Sequence, residues 1–78
     1  MANSRHDTVR EIIAEVFQVD PSTINDRTAY GTIQEWDSQN HVRLLLALEE
    51  EFDVSFEVAE IESMTDIDKI LATLETKL

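Results

Sequence analysis

Apolar residues recur along the chain in three runs at helical spacing. The first is Val9, Ile12, Ile13, Val16 and Phe17, which forms a single stripe on a helix. Ser4 or Thr8 suits the N-cap, with Asp7 or Glu11 three residues on, so a helix is expected over about 5–18. The second run is Val42, Leu44, Leu45, Leu46 and Leu48, with Phe52 just beyond. Val42, Leu45 and Phe52 share a stripe with Leu44 or Leu48 beside it, while Leu46 points away. A helix apolar over more than half its circumference is central or offers apolar surface to a partner. This one opens at Asp37-Ser38 and spans about 38–51. The third run, Ile67, Ile70, Leu71, Leu74 and Leu78, places a last helix over about 66–77. Thr65 is its expected cap. Asp66 and Asp68 suit its positive end and Lys77 its negative end. A short helix around Val58 to Ile61, flanked by Phe56 and Met64, completes the set.

Between the first two helices lies a connection over about 19–36, long for a compact domain. Its apolar residues are spaced as anchors: Val19, Ile24, Tyr30, Ile33 and Trp36. It reads as an ordered loop packed across the helices, with a short helical turn near Pro21 to Ile24. Gly31, the only glycine, stands where a positive φ is most useful. The fold class is therefore all-α: a four-helix bundle with a short third helix and a long first loop.

Composition narrows the function classes. Seventy-eight residues suit one domain, 1–78, and not two. Hydrophobic content of 42% is too high for a disordered acidic tail. There is no cysteine, so neither disulfides nor a Cys-based zinc site supports the small core. Seventeen acids against six bases give a net charge of -11. That argues against nucleic acid or an anionic membrane and for a partner with a basic face. The charge is uneven: residues 1–27 hold five acids and three bases, whereas Glu49 to Asp68 hold nine acids and no base. This is either a solvated acidic face or a docking surface. No apolar run reaches membrane-spanning length, and Met1 to Asp7 lack the apolar stretch of a signal peptide, so a cytoplasmic monomer is expected.

Chemistry concentrates at Ser38. The N-terminus of a helix offers free N–H groups and the positive dipole end, which favour a phosphate. By itself the pair Asp37-Ser38 reads equally as a cap and a first-turn residue. His41 lies one turn away, but a Ser–His pair needs an orienting third group and an oxyanion site, and neither is visible. His41 reads as a surface or packing residue, and the chain as no enzyme. Glu49-Glu50-Glu51 lacks calcium-loop spacing, so no metal site is expected.

Asp37-Ser38 and the run Ala47-Leu48-Glu49-Glu50-Glu51-Phe52, with Val19-Asp20-Pro21 in the loop, resemble the acyl carrier proteins. Helix order, length and charge extend the resemblance over nearly the whole chain. It implies that Ser38 carries 4'-phosphopantetheine, added from coenzyme A by a phosphopantetheinyl transferase, with Asp37 helping to orient the transferase's metal and substrate. The arm would end in a thiol that holds an acyl group as a thioester. Partners would be acyl-loading and acyl-processing enzymes with basic docking faces.

Three features depart from the family pattern. Gln39 replaces the leucine that follows the serine and helps the transferase recognise the helix start. Asn40, His41 and Arg43 stand at positions that are often acidic or neutral in fatty-acid carriers, and Arg43 opposes docking on a basic surface. Trp36 stands where a small residue is common. The pattern Trp-Asp-Ser-x-x-His looks more like stand-alone carriers of specialised pathways. By the resemblance, Leu46, Phe56 and Ile61 form the apolar part of a recognition surface, ringed by Glu49, Glu50 and Glu57, with Gln39, Asn40 and Arg43 near the serine. Two alternatives stay open: an unmodified acidic module that keeps the fold, and a peptidyl or aminoacyl carrier.

Overall fold

The computed structural model describes residues 4–25 and 27–78. Met1 to Asn3, part of the segment read for a leader, and Asp26, one of the counted acids, lie outside the described residues. The elements are α1 (Arg5–Phe17), a 3₁₀ turn (Pro21–Thr23), α2 (Ser38–Phe52), α3 (Val58–Ser63) and α4 (Ile67–Lys77). The expected all-α architecture with its long first loop is thus the observed one.

Each long helix is capped by its own sequence. Ser4 Oγ accepts from the Asp7 N–H at 3.1 Å, and Asp37 Oδ1 accepts from the Asn40 N–H at 2.8 Å. The cap of α4 is Asp66, not Thr65: Asp66 Oδ1 accepts from the Lys69 N–H at 2.8 Å. Thr65 is spent elsewhere, its carbonyl accepting from the Tyr30 N–H at 2.8 Å. α1 and α2 end on Gln18 and Asp53, both left-handed at φ 58° and 53°. Their N–H groups bond carbonyls of the last turn, which offsets the cost of that backbone without a glycine. Gly31 does take a positive φ, at 84°.

The core is lined by Val9, Ile13 and Phe17 of α1, Leu44, Leu45 and Leu48 of α2, and Ile67, Ile70 and Leu74 of α4. The first loop closes it with Ile24 and Trp36. The loop is ordered because its hydroxyls and carboxylates satisfy its backbone. Asp20 accepts from the Ser22 N–H, Thr28 from the Asn25 N–H and Thr32 from the Ala29 N–H. A bridge, Ala29 to Asp66, ties it to the start of α4.

Several expected placements shift. The buried face of α2 is His41, Leu44, Leu45 and Leu48, at i, i+3, i+4 and i+7. Val42 therefore turns outward and is exposed, because the polar His41 takes the place the apolar pattern gave it. Phe56 is core at 8% exposure. Leu78 and Tyr30, counted as stripe and anchor, are exposed. α3 reaches Ser63, two residues beyond expectation, and Met64 closes it from the core.

α3 is also held at its solvent side. Lys77 Nζ pairs with Glu60 Oε1 at 2.9 Å and lies 5.9 Å from the centre of the Phe56 ring. The Glu57 N–H donates to Glu60 Oε1 at 2.9 Å. That backbone bond first, and Lys77 second, hold the Glu60 carboxyl below its ordinary value. A carboxyl favoured as the anion in the fold stabilises it fully above its unfolded pKa. The contribution fades as pH falls through the lower folded value. Acidification through that range is expected to speed amide exchange in α3, and Glu60→Gln to remove that part of the pH dependence.

Candidate functional site

Ser38 is the first residue of α2 and is exposed. Asp37 prepares its backbone: the cap residue is extended, at φ -110° and ψ -178°, and turns the chain from loop to helix. Its carboxylate takes the Asn40 N–H and its carbonyl the His41 N–H, at 2.8 Å each. The preceding N–H groups, those of Ser38 and Gln39, belong to the helix's positive end. Asn40 secures the joint from the other side, its Nδ2 donating to the Glu35 carbonyl at 2.8 Å.

From Ser38 an apolar groove of about 510 Å³ runs between α2 and α3. One wall is Ser38, His41 and Val42; the other is Val58, Ile61 and Glu62. Each triplet is spaced i, i+3, i+4, so each is one face of its helix. Tyr30 and Thr65 complete the lining, joined by the backbone bond between them.

The groove's inner side is the His41 ring, only 7% exposed. Trp36 Nε1 donates to His41 Nδ1 at 3.0 Å. An indole nitrogen can only donate, so Nδ1 carries no proton. Nε2 then holds the proton and donates to the Ile61 carbonyl at 2.7 Å. One neutral imidazole thereby joins the loop, α2 and α3. Trp36, 1% exposed, stacks on the same ring with centroids 6.3 Å apart, and Tyr30 meets it edge-on at 5.7 Å. With both nitrogens occupied in binding the fold, His41 is a packing residue and no base for Ser38.

The residues singled out for recognition divide into three groups. Gln39, Arg43, Leu46 and Glu50 fall at i, i+4, i+7 and i+11 and form one exposed face of α2, with Leu46 at 56% exposure. Glu57 is exposed at the start of α3, and Ile61 lies half-buried in the groove wall. Asn40, Glu49 and Phe56 are engaged within the fold. Asn40 holds the loop, Glu49 Oε2 accepts from the Phe56 N–H at 2.7 Å, and the Phe56 ring is core. Two exposed apolar residues were missed, Val42 and Val58, the latter at 72% exposure. Val42 would have emerged had His41 been counted on the buried stripe of α2; Val58 starts a helix of six residues, too short to show a stripe.

Residues 7–74 match the family model described as the phosphopantetheine attachment site. The chain belongs to this family. The carrier's similarity extends to whole proteins. It is 31% identical over 72 residues to an acyl carrier protein of Bdellovibrio bacteriovorus, covering 92% of each chain. It is 30% identical over 70 residues to an acyl carrier protein of Thermosynechococcus vestitus, covering 90% of this chain and 86% of that one. The cofactor of this family is 4'-phosphopantetheine, and its members carry groups for other enzymes rather than catalyse. No helix among the described residues is long and apolar enough to cross a membrane.

Proposed function

We propose that the protein is an acyl carrier whose 4'-phosphopantetheine is attached through Ser38 Oγ, and that it serves a specialised biosynthetic pathway. The supporting observation is the position of Ser38: an exposed hydroxyl on the first residue of α2, opening onto an apolar groove. The residues suit the group. The helix's positive end favours the phosphodiester, and the groove offers apolar cover to what the arm carries. When bound, the cofactor supplies the thiol that this cysteine-free chain lacks.

The chain's own residues position and present. Asp37 fixes the helix start, and its exposed carboxylate, one residue before Ser38, helps to orient a transferase's metal and substrate. Gln39, Arg43, Leu46, Glu50 and Glu57, with the exposed Val42 and Val58, present the docking surface to a phosphopantetheinyl transferase and to acyl-loading and acyl-processing enzymes. Binding to such partners is weak, fast and salt-sensitive, since a shuttle must leave each one. The reading places the carrier in the cytoplasm as a monomer.

Mass measurement after incubation of the apo-protein with coenzyme A, Mg²⁺ and several broad-specificity transferases tests this function. Gain of one phosphopantetheinyl group supports it. No gain with any of them overturns it in favour of an unmodified interaction module. If modification is slow, Gln39→Leu should accelerate it.

Arg43 sets the carrier apart from partners built for uniformly acidic faces. Arg43→Glu should lower the KM of a transferase with a basic docking face by up to about fivefold at low salt, because an exposed charge pair contributes up to about 1 kcal/mol. The gain should shrink at high salt. A raised KM would place an acidic patch opposite Arg43.

A further inference from the structure

His41 bounds the groove in a way that bears on cargo. The imidazole is the first member of the buried stripe of α2, and Leu44, Leu45 and Leu48 follow it into the core. A chain that enters beside Ser38 meets the ring before it meets those leucines. To go deeper it must part α3 from α2. That breaks the 2.7 Å bond from His41 Nε2 to the Ile61 carbonyl and disturbs the Trp36 bond to Nδ1. Both bonds lie in apolar surroundings, where a lost partner is not readily replaced. The ring is braced as well, by the fully packed Trp36 stacked on it and by Tyr30 meeting it edge-on.

We propose that His41 is a specificity-determining residue for the cargo. It latches α3 to α2, so that the groove covers a short acyl group while the rest of a long alkyl chain stays outside the core. This rests on the reading of Ser38 as the attachment point.

The latch needs one acceptor and one donor at the tip of the side chain. Glutamine carries the same pair, Oε1 for the Trp36 N–H and Nε2 for the Ile61 carbonyl. Alanine carries neither and opens the way past the ring position.

The test compares acetyl, butyryl and decanoyl forms, made by a broad-specificity transferase from the matching acyl-coenzyme A. Wild type, His41→Gln and His41→Ala are loaded in parallel. Mass spectrometry verifies attachment first, so failure of the Ser38 reading appears there as an unmodified mass, separate from the result on cargo. The readouts are Tm relative to the holo form and the NMR resonance of the Trp36 indole N–H, the only indole in the chain. In wild type and His41→Gln, decanoyl should raise Tm no more than butyryl, and the indole resonance should stay in place. In His41→Ala, decanoyl should raise Tm above butyryl. A larger decanoyl than butyryl gain in wild type, with a moved indole resonance, would overturn the proposal. That comparison needs no variant to fold. Equal gains in His41→Ala would overturn it as well.

Discussion

Replacing Trp36 by alanine is expected to leave much of the protein unfolded at room temperature. The side chain is 1% exposed and closes the core from the loop side. Its ring packs on Phe17 with centroids 5.5 Å apart, and its N–H occupies His41 Nδ1. Truncating a buried Trp to Ala costs about 3–5 kcal/mol. A single core in a domain this small rarely supplies more than about 3–5 kcal/mol. No disulfide makes up the difference, and a net charge of -11 works against compaction. Urea unfolding followed by far-ultraviolet circular dichroism should show a midpoint near zero denaturant. Trp36→Phe should fall between the two, restoring most of the packing but leaving Nδ1 without its donor. A midpoint for Trp36→Ala close to that of wild type would mean the loop contributes little to the core.

The architecture was legible because it rests on periodicity and on caps, both local signals. Three apolar stripes placed α1, α2 and α4 within a residue or two. Ser4 and Asp37 announced their helix starts, and Gly31 its backbone. The ordered loop was legible through its spaced anchors, although Tyr30 lies on the surface. What escaped was set by contacts between distant residues. His41 is polar by type and was read out of the stripe. Its burial depends on a donor five residues before it and an acceptor twenty residues after it. Misplacing His41 turned the face of α2, so Val42 was assigned inward. The resemblance put Phe56 on the surface, but its ring is core and is covered by Lys77 from the far end of the chain. Asn40 and Glu49, read as docking polarity, spend their side chains on backbone groups. The acidic run from Glu49 is therefore partly spent on the fold: Glu49 and Glu60 fasten α3 and Glu57 shares a capping box with Glu60, while Glu50 is exposed on α2.

The largest functional effect expected of a single atom is at Ser38 Oγ. Ser38→Ala keeps the cap, since that belongs to Asp37, and alanine is favoured in a helix. The variant should fold as well as wild type and differ only in the missing hydroxyl. Loss of modification in it would then reflect chemistry at one oxygen and not a damaged docking surface.

Attachment at Ser38 is decided by intact mass after incubation with coenzyme A, Mg²⁺ and a transferase, with wild type and Ser38→Ala side by side. Attachment through Ser38 Oγ should add one phosphopantetheinyl group to wild type and none to a folded Ser38→Ala. An unmodified wild type, or a Ser38→Ala protein that still gains the group, would contradict it.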